Sequence, residues 1–282
     1  MVEAYRPKTL KEALEIIDKE ECIIFSGGTD LMVKNKKWSG VEPGFTKPVV
    51  FISGLKELKK IERKDNILKL GAACTCCEIA ENDLVPDYFK EVFLNMASPA
   101  IRNIATVGGN ICNASPAGDS LPLLYALEAK LILESAEGER KVPIQKFILG
   151  PGKKDIKKNE ILKEIEIDIG DFNKTYYKKV GTRKSIALSK VSFMGLARVY
   201  KGKIEDIRIA FGACGPKIIK DKTTENSLIK LGSVNDDELN YIKKIYSKLI
   251  TPIDDQRSTA DYRKDVCLRI LEDFLMNLNK EN

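Results

Sequence analysis

TVGGNICNASPAGD, residues 106–119, concentrates a glycine pair, two amides, two hydroxyls and a carboxylate between apolar segments. Gly108 and Gly109 have no Cβ, so the backbone there can take positive φ and approach a ligand closely, with successive N–H groups converging on an anion. Thr106, Asn110, Asn113 and Ser115 add polar groups beside it. Asp119 leads into Ser120-Leu121-Pro122, a helix entry with Pro in the first turn, and LPLLYAL anchors that helix to a core. By itself the stretch reads either as a phosphate cradle or as an ordinary turn of small polar residues. A second stretch, IFSGGTDL at 24–31, places Gly27 and Gly28 directly after the apolar run Cys22–Phe25, a buried strand by its pattern. Two strand-linked glycine pairs suggest two grips on one extended, doubly phosphorylated ligand. Neither fits G-x-G-x-x-G or G-x-x-x-x-G-K-[ST], so the dinucleotide fingerprint and the P-loop are both disfavoured.

Composition narrows the chemistry. The 282 residues suffice for two domains or one large one, and 47 basic against 41 acidic residues leave a formal charge of +6. The lysines are dispersed along the chain, which fits solvated faces better than a nucleic-acid surface. No signal-peptide pattern and no long apolar run is visible, and the seven Cys show no disulfide framework, so the expectation is a reduced, cytoplasmic protein without a membrane span. Cys74, Cys76 and Cys77 lack a fourth thiolate at matching spacing and read as small buried hydrophobes rather than metal ligands. Histidine is absent, which removes Ser-His and Cys-His nucleophiles and His-ligated metals. A cofactor carrying its own redox chemistry then becomes the economical source of activity.

Along the chain, the patterns predict a helix over 4–20 with a Thr9/Glu12 capping box, strands at 22–25 and 49–52, a strand at 67–72, and a Thr75/Glu78 capping box opening a short helix. Further helices are expected at 88–97 and 121–127, a hairpin at 130–144, a polar loop at 150–159 and an alternating strand at 161–167. The pattern shifts between 170 and 174, followed by strands 191–201 and 204–211 and helices near 223–231, 236–250 and 261–278. The fold class is α+β, with an expected first domain over 1–172 (subdomains about 1–54 and 55–172) and a C-terminal domain of antiparallel sheet plus helices over 173–282.

SGGTDL, TVGGNICNASPAGD and DQRSTADYRKDV (255–266), in that order, resemble the FAD-binding subunit of the molybdenum hydroxylases, the family of xanthine dehydrogenase and carbon monoxide dehydrogenase. The resemblance covers nearly the whole chain. It implies a two-subdomain FAD-binding domain of the p-cresol methylhydroxylase/vanillyl-alcohol oxidase type, followed by a C-terminal domain of the CO dehydrogenase flavoprotein type. It further implies that Ile24, Phe25, Ser26, Gly27, Gly28, Thr29, Asp30 and Leu31 wrap the FAD pyrophosphate, and that Thr106, Val107, Gly108, Gly109 and Asn110 complete the grip. By the same match Asp119 reaches the polar chain or ring edge, Leu162 and Lys178 touch flavin, Ile111 and Cys112 approach the isoalloxazine, and Arg183 and Ser185 lie near the nicotinamide entrance. Asp119 is equally suited to capping the helix after it. The absence of His excludes a flavin tethered through that residue, so FAD is expected to be noncovalent. The implied partners are a [2Fe–2S] subunit and a molybdopterin subunit, with NAD or another acceptor receiving the electrons. The segment between Asp119 and Glu139 has no Cys, unlike the branch that carries an iron–sulfur loop there. A self-contained flavin oxidase of a small organic substrate and a non-catalytic FAD-binding scaffold are the alternatives.

Overall fold

In the computed structural model, which describes residues 2–183 and 186–278, the chain opens as a three-stranded parallel sheet ordered Ala4–Tyr5, Val49–Phe51, Ile23–Phe25. The first helix is Leu10–Lys19, shorter than the expected 4–20, because Ala4 and Tyr5 pair with Val49 and Val50 as an edge strand. The Thr9 hydroxyl accepts the Glu12 N–H at 3.1 Å, but the Glu12 carboxylate accepts the Lys8 N–H at 2.7 Å, so only half of the capping box forms. Leu10, Ala13, Leu14 and Ile17 recur at helical spacing and bury against Val50, Ile52, Leu55 and Leu58.

The middle of the chain is a five-stranded antiparallel sheet ordered Ile61–Lys64, Ile67–Gly71, Ile161–Asp168, Lys130–Ser135, Gly138–Pro143. The alternation in Ile161–Asp168 is accounted for by its two faces. Ile165 and Ile167 enter the core, while Glu164 and Glu166 pair with Lys69 at 3.1 Å and Lys141 at 2.9 Å. Helices Cys76–Glu81, Asp87–Leu94, Val107–Asn113 and Leu121–Ala126 supply residues to the same core. The capping box at Thr75 and Glu78 is complete, with bonds of 3.1 and 2.7 Å.

Lys174–Val180, Val191–Tyr200 and Lys203–Gly212 form a three-stranded antiparallel sheet. Residues 191–197 are buried throughout, because the sheet is covered on both faces. Met194, Leu196 and Ala210 join the middle core, whereas Phe193, Ile209 and Phe211 pack with helices Lys222–Leu231, Asp236–Leu249 and Ala260–Met276. Phe193 anchors that second layer, its ring centroid 4.8 Å from Phe211 and 5.6 Å from Phe274. No helix among the described residues is long and apolar enough to cross a membrane.

Candidate functional site

A cleft of about 520 Å³ lies where the parallel sheet meets the middle unit, a size suited to a cofactor. Its walls come from the segment leaving strand Ile23–Phe25, the start of helix Val107–Asn113, and residues 152–162. The two glycine pairs meet at this cleft. Thr106, 3 % exposed, donates its hydroxyl to Ser26 Oγ at 3.0 Å and accepts the Gly109 N–H at 3.1 Å, so one side chain ties both loops together.

The glycines are required chiefly by close packing. A Cβ on Gly27 would stand 1.9 Å from the Ile104 carbonyl oxygen, and one on Gly108 would stand 2.6 Å from both Cβ and O of Ala72. Only Gly28 takes the left-handed conformation, at φ +72°, with its missing Cβ replaced by the Phe25 ring beneath. Gly108 and Gly109 lie within the helix, which corrects the expectation of positive φ there.

Following each N–H separates the roles of the loops. Val107 and Gly108 donate to the carbonyls of Cys74 and Ala72 at 3.0 and 2.9 Å, Gly109 donates to Thr106 Oγ1, and Asn110 donates to the Thr106 carbonyl at 3.0 Å. By contrast, the N–H groups of Gly27, Gly28, Thr29, Asp30 and Leu31 have no acceptor among the described residues. Consecutive free N–H groups around a left-handed glycine form an anion-binding concavity. The first loop therefore supplies donors, and the second supplies a close-packed wall.

Of the residues singled out from sequence, Ile24, residues 26–31, Thr106, Gly108, Gly109, Asn110, Cys112 and Leu162 line the cleft together. Phe25 lies outside the lining, its ring 4.8 Å from Phe51. Val107 and Ile111 are fully buried in the middle core. Lys178 is exposed on strand Lys174–Val180 and does not line the cleft. Its neighbour Lys179 turns inward and pairs with Asp119 at 2.7 Å, while Ser189 donates to the other Asp119 oxygen at 2.5 Å. Asp119 does not cap the following helix, whose N-cap is Ser120. Arg183 donates to the Ile186 carbonyl at 2.7 Å, and Ser185 lies outside the described residues.

Burial pushes the Cys112 thiol up to about 11, so it stays protonated near neutral pH, and Lys154 opposes the shift only in part. Cys74 and Cys77 stand at C-x-x-C spacing but diverge. Cys74 is buried, its pKa raised to about 12 by that burial, and faces the Lys60 carbonyl, whereas Cys77 donates to Glu81 at 3.0 Å. No cluster able to hold a metal exists among the described residues. The motif at 255–266 is structural: Asp255 holds Arg257 at 2.6 Å and the buried Arg263 at 2.5 Å, and Arg263 donates to the Ala213 carbonyl. Sequence reasoning missed Met96, Lys34 and Lys154 as cleft residues.

The family model described as "FAD binding domain in molybdopterin dehydrogenase" matches residues 1–167, and that of the "CO dehydrogenase flavoprotein C-terminal domain" matches residues 175–278. The chain is 32% identical over 266 residues to the glyceraldehyde dehydrogenase medium chain of Sulfolobus acidocaldarius, covering 93% of this chain and 92% of that one. It is 27% identical to a putative xanthine dehydrogenase FAD-binding subunit of Escherichia coli, covering 92% and 89%. Among solved structures, carbon monoxide dehydrogenase from Hydrogenophaga pseudoflava superposes with a TM-score of 0.88 at 22% identity, over 99% of this chain and 96% of that one. Quinoline 2-oxidoreductase from Pseudomonas putida 86 gives 0.87 at 21%, over 98% and 96%.

Proposed function

The chain belongs to the FAD-binding medium subunits of the molybdenum hydroxylase family, and from that membership we propose that it holds FAD noncovalently in the cleft between its two glycine loops and passes electrons between a [2Fe–2S] subunit and NAD or another acceptor. Bound FAD supplies the redox chemistry, as an organic cofactor able to exchange both single electrons and hydride. The chain's residues bind and orient it. The N–H groups of residues 27–31 take the diphosphate, the helix opening at Thr106 closes the opposite wall, and Met96, Cys112 and Leu162 line the cleft beside them.

The observation that carries this reading is the run of five N–H groups without an acceptor among the described residues, in a cleft whose other lining includes Gly109, open where a side chain would stand. The fit is steric as well as chemical: the N–H groups of residues 27–31 are free to donate to an anion, and Gly109 has only the Thr106 hydroxyl near its missing Cβ. With no His and with the Cys112 thiol kept protonated by burial, these residues offer no tether to the flavin. The partners are a [2Fe–2S] chain and a molybdopterin chain, and the domain boundaries fall near residues 54 and 172. The compartment is the cytoplasm, in keeping with seven free thiols.

Adding NADH anaerobically to the purified chain tests the acceptor assignment. Bleaching of the flavin absorbance is expected. A flavin that stays oxidised under excess NADH, yet is reduced by dithionite, would replace NAD with another acceptor.

A further inference from the structure

The charges around the cleft are unevenly matched. Glu21 is held by Lys47 at 2.5 Å and Lys158 at 3.0 Å. Glu160 is clamped by Arg140 at 2.7 and 2.9 Å and receives the Lys157 N–H at 2.7 Å. Glu21 and Glu160 are thus neutralised from behind, while Asp30, exposed at the cleft, has no ion pair among the described residues. Lys34 and Lys154 line the same cleft, and neither has a carboxylate in ion-pair range among the described residues. Lys154 is half-buried, its backbone fixed by pairing with Ile148, and its charge is felt at Cys112. Lys34 reaches the cleft from the helical turn Leu31–Lys34 after the first glycine loop, and donates to Asn113 Oδ1 in the second. A half-buried ammonium without a counter-charge is unfavourable unless a ligand supplies one. The second loop's N–H groups are already taken at residues 107–110, so an anion in this cleft finds main-chain donors on the first loop.

Resting on the FAD reading above, we propose that Lys154, with Lys34 from the first loop, supplies the side-chain positive charge that neutralises the cofactor's diphosphate, while the N–H groups of residues 27–31 fix its position. Lys34 exchanges its Asn113 acceptor for phosphate oxygen as the ligand enters. The diphosphate carries two negative charges; of the cleft lysines, Lys158 is held by Glu21 and Lys157 is exposed, so Lys154 and Lys34 are the two assigned to it.

The test is titration of the flavin-stripped full chain with FAD and, separately, with riboflavin, over a range of ionic strength. Lys154→Met is expected to weaken FAD binding roughly tenfold or more, as for loss of a charge-assisted hydrogen bond, and to flatten its salt dependence. Riboflavin, which lacks the diphosphate, should bind as to the wild type, and Lys154→Arg should restore most of the FAD affinity. Lys34→Met gives the same readout should Lys154→Met fail to fold. Unchanged FAD affinity and salt slope in a wild-type background that does bind FAD overturns this assignment alone, as does equal weakening of FAD and riboflavin. A wild-type chain that takes up no FAD overturns the cofactor reading and this inference together.

Discussion

Replacing Gly109 by Val should separate cofactor binding from folding. Gly109 sits in the first turn of helix Val107–Asn113 with ordinary helical φ, and the one atom within 4 Å of its missing Cβ is Thr106 Oγ1, at 2.8 Å. In helix propensity Val is slightly better than Gly, by a few tenths of a kcal/mol. Displacing the Thr106 hydroxyl weakens a cap worth about 1 kcal/mol. The net effect on the stripped protein is therefore a loss of about 1 kcal/mol, or roughly 2–4 °C in Tm for a chain of this size. The isopropyl group projects into space the ligand needs, and a clash with an incoming diphosphate costs about 3 kcal/mol, more than a hundredfold in Kd. The assay is flavin absorbance per protein after desalting, with thermal melts of both proteins stripped of FAD, since bound ligand raises Tm by mass action. Wild-type flavin content in the variant would refute the placement of the ligand against this helix start. A Tm loss several times larger would refute the view that Gly109 serves the ligand and not the fold.

Gly27→Ala should behave differently, because its Cβ would lie 1.9 Å from the Ile104 carbonyl oxygen: about 3 kcal/mol of destabilisation even without cofactor, read by denaturant melts. Glu160 is 5 % exposed and Arg140 holds its carboxyl below the usual range, so ionised Glu160 stabilises the fold above pH about 4.3, and that stability is lost as pH falls through the lower folded pKa. Arg140→Met should cost about 2 kcal/mol at neutral pH and remove most of this acid-dependent loss, as Tm across pH 3 to 7, roughly, will report. Lys179→Met leaves Asp119 with only its Ser189 partner in a site 9 % exposed, and should lower stability by about 2 kcal/mol in urea melts. Cys112→Ala should keep stoichiometric FAD, because a thiol held near 11 by burial packs and neither ionises nor reacts.

Local signals carried much of the fold. The hairpin over residues 130–143 and the Thr75 capping box were legible because their determinants sit within a few residues of one another. Strand Lys174–Val180 was not, since KTYYKKV sets three Lys among its apolar positions, and its register is dictated by Val191–Tyr200 beside it. The glycine pairs pointed to the cleft they line together, but for a partly mistaken reason. Positive φ is needed at Gly28 alone, and the closeness of Gly27 to Ile104 depends on a contact between segments 77 residues apart, invisible to local pattern. Asp119 was legible as a polar residue in an apolar setting, yet its partners Lys179 and Ser189 lie 60 and 70 residues away. Lys154 sat in what reads as a polar loop, and the short pairing of Lys153–Lys154 with Ile148–Gly150 carries it to the cleft.

The central claim is that this cleft holds FAD by noncovalent contacts. Its most direct measurement is acid precipitation of the purified chain, with chromatography of the supernatant and mass spectrometry of the pellet. The account predicts close to one FAD per chain, all of it in the supernatant, and a protein mass equal to that of the bare polypeptide. A colourless chain, or flavin mass retained on the precipitated protein, would contradict it.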